Sequence, residues 1–185
     1  MPADTRARLS RVSIVLHWTT AVLVIATVVA GSPLDDMPDG AARLDAIAFH
    51  ISLGLTVLVW GLARGLWRLS NGMPAPLKSY NAATRLISKV VRYGMLFLSV
   101  ALPITGILMA TEKGYGIKSF GIELVKASED KLLTITTLQT AHQIGAWTMV
   151  VFIAIHVAAS LKALLVDRDG SFPRMLGATL RSTTE

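Results

Sequence analysis

Hydrophobic positions along this chain do not alternate with polar ones; they run in blocks. Residues 12–30, 46–69, 91–110 and 137–166 are apolar almost throughout. Each block is close to or above the roughly 20 residues that a helix needs to cross the hydrocarbon core of a bilayer. Between the blocks stand breakers: Gly31, Pro33, Pro38 and Gly40, then Asn71, Gly72, Pro74 and Pro76, then Gly114 and Gly116. The pattern predicts an all-α integral membrane four-helix bundle, up-down-up-down, forming a single domain over residues 1–185. The fourth block is long enough to tilt or to extend beyond the bilayer. The third connector, residues 111–136, is longer than loops usually are and predicts a short interfacial helix or a functional surface.

Composition supports the membrane class: 52% of residues are hydrophobic and 16% are charged. The formal charge of +6 does not form a helical stripe suited to nucleic acid, and its cations sit at the ends of the apolar blocks. Arg6, Arg8, Arg11, Arg64, Arg68 and the arginines after residue 166 fall on the side of the two termini. Asp35, Asp36, Asp39, Asp45, Glu112, Glu123, Glu129 and Asp130 all fall on the other. By the positive-inside rule both termini are cytoplasmic, and loops 31–45 and 111–136 face outward, which in a bacterium is the periplasm. The first block has a basic lead but no small-residue cleavage motif, so it reads as a retained span. With no cysteine in the chain, disulfides, iron–sulfur clusters, thiolate-ligated haem and covalent haem attachment are excluded.

The chain has four histidines, His17, His50, His142 and His156, and every one lies inside an apolar block whose interior has no aspartate or glutamate. A single intramembrane histidine often serves only to hydrogen-bond a neighbouring helix. Four in one chain, at matched depths, point to a site. His142 and His156 are fourteen residues apart, so they share a helix face at levels separated by about 21 Å. Depth then pairs His17 with His156 near the cytoplasmic side and His50 with His142 near the periplasmic side. Two imidazoles from different helices at one level suit the axial positions of a b-type haem, and full ligation suits electron transfer over oxygen binding. Zinc or proton transport fits less well, because two histidines per level are few for zinc and no acidic relay is present.

Other residues carry weaker signals. Gly54, Gly61, Gly145 and Ala146 near the ligands would make room for a flat macrocycle, or simply let helices pack. Arg11, Arg64 and Arg68 on one side and Arg43 on the other are candidates for haem carboxylates, with topology signalling the plainer reading. Trp18, Trp60, Trp67 and Trp147 read as interface anchors or haem packing. Pro103, before Gly106, predicts a kink in a third span that has no histidine and serves as a wall.

The basic lead into Arg11 and His17-Trp18, the Phe49-His50 pair opening the second span, and His142 with His156 on the fourth together resemble the prokaryotic cytochrome b561 family across nearly the whole chain. The resemblance implies axial ligation of two haem b groups by His17, His50, His142 and His156 in a multi-pass protein of the bacterial inner (plasma) membrane. Gly116, Phe120, Gly121, Ala127 and Ser128 resemble the external loop of the family's small stand-alone members, which are similar to superoxide oxidases. That likeness implies an oxidoreductase moving electrons from periplasmic superoxide to ubiquinone. Related members act instead as electron-transfer subunits or anchors for a periplasmic redox enzyme such as a hydrogenase, and fold alone does not separate the two. Lys113, Lys118, Lys126 and Lys131 could steer a small anion, although acidic residues interleave with them. The similar proteins can carry further histidines after the last ligand, where this chain has Lys162 and Ala163. A quinone site here would have to use Ser13, Ser160, Lys162 or arginines.

Overall fold

In the computed structural model, which describes residues 4–114, 116–126 and 135–180, four long helices carry the apolar blocks. They are α1 (Arg11–Gly31), α2 (Ala41–Asn71), α3 (Ala82–Glu112) and α4 (Ile135–Lys162), the last continued by a π turn over Ala163–Asp167. All four are long and apolar enough to cross a membrane. Their large apolar side chains are widely exposed, Val22, Val59, Phe97 and Trp147 among them, as expected for surfaces solvated by lipid. The chain is thus an integral membrane four-helix bundle.

The helices overrun the predicted spans at their polar ends. α2 begins at Ala41 and α3 at Ala82, before the apolar blocks, because backbone that has left the hydrocarbon core can stay helical under polar side chains. Asn81 starts α3 by accepting from the Thr84 amide, and Ser10 starts α1 by accepting from the Ser13 amide. Pro103 lies inside α3 and cannot donate to the Ser99 carbonyl one turn earlier. At that carbonyl α2 comes close: a Cβ on Gly61 would lie 2.9 Å from it.

The third connector bears on the first of its two expected readings, a short helix, and leaves the second, a functional surface, standing. Among its described residues there is no interfacial helix; β1 (Ile117–Ser119) and β2 (Ile122–Val125) form an antiparallel hairpin. Its two turn residues, Phe120 and Gly121, both have positive φ, 47° and 87°, which matches the right-handed strand twist. Ile117 is buried, and the hairpin docks on α2 through Ser52, whose hydroxyl accepts from the Phe120 amide at 2.9 Å. Ala127, Ser128 and Lys131 lie outside the described residues.

The opposite end of the bundle is tied by the chain termini. Asp4 accepts from the Ser10 amide, the Ser13 hydroxyl and Arg68, the last at 2.7 Å with both side chains buried. Trp67 donates to Ser13, and Trp18 donates to the carbonyl of Met175 in the short helix α5 (Ser171–Met175). Arg174 reaches the carbonyls of Arg6 and Ala75. The described residues nearest both termini and the α2–α3 loop therefore share one side, and the hairpin lies on the other.

Candidate functional site

α1 packs on α2, α2 on α3 and α3 on α4, each along much of its length. The four histidines connect different partners. His17 of α1 faces His156 of α4 with ring centres 6.1 Å apart, and His50 of α2 faces His142 of α4 with ring centres 6.3 Å apart. Neither α1 nor α2 lies in extended backbone contact with α4, so both pairs reach across the bundle interior. All four rings are half-buried. The pairing expected from depth is the pairing the fold brings together, one pair at the terminal level and one at the hairpin level.

Two imidazoles that share one metal through bonds of about 2 Å have ring centres about 6 Å apart, as both pairs do. Among the described residues no group of three or more histidines and carboxylates is placed to hold a metal ion, which leaves each pair suited to a group that brings its own equatorial donors. The donor set and its spacing thus fit haem.

Ring tautomers at the hairpin level follow from the hydrogen-bond partners. His50 Nδ1 lies 3.0 Å from the Thr27 carbonyl, which can only accept. His142 Nδ1 lies 3.0 Å from the Thr105 hydroxyl, whose own proton goes to the Leu102 carbonyl. Both rings therefore carry their proton on Nδ1 and keep the Nε2 lone pair for a metal. Glycines stand against both: a Cβ on Gly31 would lie 2.6 Å from the His50 ring, and one on Gly106 would lie 3.3 Å from the His142 ring.

The terminal level is built differently. Arg64 Nη2 lies 3.1 Å from His17 Nδ1, a cation where the other level offers oxygen atoms. Trp18 meets His17 edge-on with centres 5.2 Å apart. Ser160 donates to the His156 carbonyl.

Several candidate residues are engaged elsewhere. Arg68 is paired with Asp4, and Arg43 with Asp39 and the Leu34 carbonyl. Ser13 is held by Asp4 and Trp67, and Lys162 by Asp167. Gly61 faces Ser99 and Gly145 faces Leu102, both contacts between helices, and a Cβ on Gly54 would meet no atom within 4 Å. Trp147 is exposed on the lipid-facing surface. Sequence reasoning missed Thr27, Thr105 and Gly31 as neighbours of the site. Thr105 alone carried a signal, lying just after Pro103, where the carbonyls of α3 are disturbed.

Comparison with known proteins agrees with this architecture. A family model described as prokaryotic cytochrome b561 matches residues 8–178. The chain is also 30% identical over 177 residues to cytochrome b561 homolog 2 of Escherichia coli strain K12, covering 94% of each protein.

Proposed function

The chain belongs to the prokaryotic cytochrome b561 family, membrane b-type cytochromes that transfer electrons, and on that premise we propose that it holds two haem b groups and oxidises superoxide with ubiquinone. The observation that carries the two-haem reading is the pair of facing imidazoles at each of two levels, 6.1 and 6.3 Å between ring centres. His17 and His156 would hold one group, and His50 and His142 the other. When bound, such a group supplies one-electron exchange at an iron with no open coordination position.

The chain's own residues do the rest. Thr27 and Thr105 fix the Nδ1 protons of His50 and His142, and Gly31 and Gly106 leave room for those rings close to neighbouring helices. The cationic excess on the terminal side supports a bundle in the bacterial inner membrane with both termini toward the cytoplasm and the hairpin toward the periplasm. Lys113, Lys118 and Lys126 flank or belong to that hairpin; Glu123 stands opposite Lys118 across it, which leaves Lys113 and Lys126 to favour the approach of a small anion. Two superoxide anions would each lose one electron to become dioxygen. One ubiquinone would take the two electrons and two protons to become ubiquinol.

A superoxide pulse on the purified holoprotein tests this. Reduction of the haem α band within the pulse, then reoxidation by added ubiquinone, is the expected result; no reduction within the pulse overturns the superoxide assignment. A second reading is favoured by the exposed apolar side chains Phe120, Ile122 and Leu124 on the hairpin, a surface suited to a periplasmic redox subunit for which this chain would be the membrane anchor. Co-purification with such a subunit, and haem reduction only in its presence, would select that reading.

A further inference from the structure

α2 repeats the ligand spacing of α4. His50 and Arg64 are fourteen residues apart, as His142 and His156 are, so α2 presents a histidine to the hairpin level and an arginine to the terminal level. The contact between Arg64 and His17 at 3.1 Å confirms the level. Ring nitrogens at both levels thus meet further polar groups, two at the hairpin level and one at the terminal level, and these are opposite in sign. At the hairpin level the partners are a carbonyl and a hydroxyl oxygen, both accepting. At the terminal level the partner is a guanidinium.

Charge compensation does not cancel the difference. Arg68, one turn further along α2, is neutralised by Asp4. Among the described residues no carboxylate lies within ion-pair distance of Arg64. Arg92 of α3 spends its Nε on the Ser88 carbonyl, a neutral group. The terminal level therefore keeps a net positive environment within a bundle interior where charges are weakly screened.

We propose that Arg64 sets the reduction potential of the group held by His17 and His156 above that of the group held by His50 and His142. This rests on the two-haem reading of the same residues. A nearby cation disfavours the ferric state, which is more positive by one charge, and so raises the potential. An oxygen acceptor on Nδ1–H makes the imidazole a stronger donor to iron and lowers it. The two effects act in the same direction on the difference between the levels. Binding a metal through Nε2 leaves the His17 proton on Nδ1, where Arg64 finds no acceptor, yet its position on α2 keeps its charge beside the ring.

Redox titration of the purified holoprotein tests the proposal, with His17→Ala and His50→Ala identifying which spectral component belongs to which level. Arg64→Leu should shift the terminal-level component at least tenfold toward the oxidised form at fixed potential, which is ~59 mV per tenfold for one electron. The other component should stay in place, and Arg64→Lys should restore most of the shift. An unshifted titration at full haem content overturns the proposal, as does an equal shift of both components. Loss of the terminal-level haem from both Arg64→Leu and Arg64→Gln also overturns it and makes Arg64 a partner of the haem carboxylates. A wild-type chain with fewer than two haems would instead defeat the reading beneath it.

Discussion

A threonine hydroxyl has one proton, and Thr105 gives its proton to Leu102, so toward His142 it can only accept. Replacing Thr105 with valine keeps the shape and removes that acceptor. Haem affinity at the hairpin level should then fall about 10–100-fold, the usual effect of losing a partner behind a metal-bound histidine. Haem titration of Thr105→Val would show one weakened site and one unchanged. Gly31→Ala drives a methyl into the His50 ring, and the same titration should show the hairpin-level site lost while the terminal one remains. The histidines were legible in the sequence because an ionisable residue in an apolar run is costly and so is rarely incidental. Thr27, Thr105 and Gly31 were not, since small and hydroxylated residues are common in membrane helices and their partners lie on other helices.

Helix α2 organises both levels and also carries the hairpin. Ser52, two residues beyond His50, bonds the Phe120 amide, so the hairpin and the histidine pair at its level are held by the same turn of helix. Ser52→Ala should cost about 1 kcal/mol and loosen the hairpin, seen as faster amide exchange at Phe120 and faster proteolysis near residues 117–126. Hydropathy located all four helices but not their ends, because it reads the hydrocarbon core and not the helical turns beyond it. Nor did loop length reveal the hairpin in the third connector. The strand signals there, Ile117, Ile122 and Val125 about the Phe120-Gly121 turn, span too few residues to stand out against a long polar loop.

Across the whole molecule, the buried Asp4–Arg68 pair fastens the amino terminus to α2 on the side away from the hairpin. Burial pushes the Asp4 carboxyl up, but hydrogen bonds from Arg68, Ser10 and Ser13 outweigh it and hold the group below its ordinary value of 3.8. A depressed carboxyl stabilises the fold above its unfolded value, and that contribution is lost as pH falls through the folded one. Asp4→Asn should therefore reduce the unfolding free energy at neutral pH by about 3–5 kcal/mol, for a buried pair broken on one side, and lower the thermal transition accordingly. The gap from the wild type should close only below about pH 4. The sharing of one side by the two termini was legible from counting spans, whereas the network that locks them depends on Asp4, an acid among arginines that charge counting had no reason to single out. The two-level account as a whole rests on how many haems the bundle holds and where. Pyridine haemochrome quantitation of the purified chain and of His142→Ala tests it most directly: two haems per chain falling to one supports the account, while one haem in the wild type, or the loss of both in the variant, contradicts it.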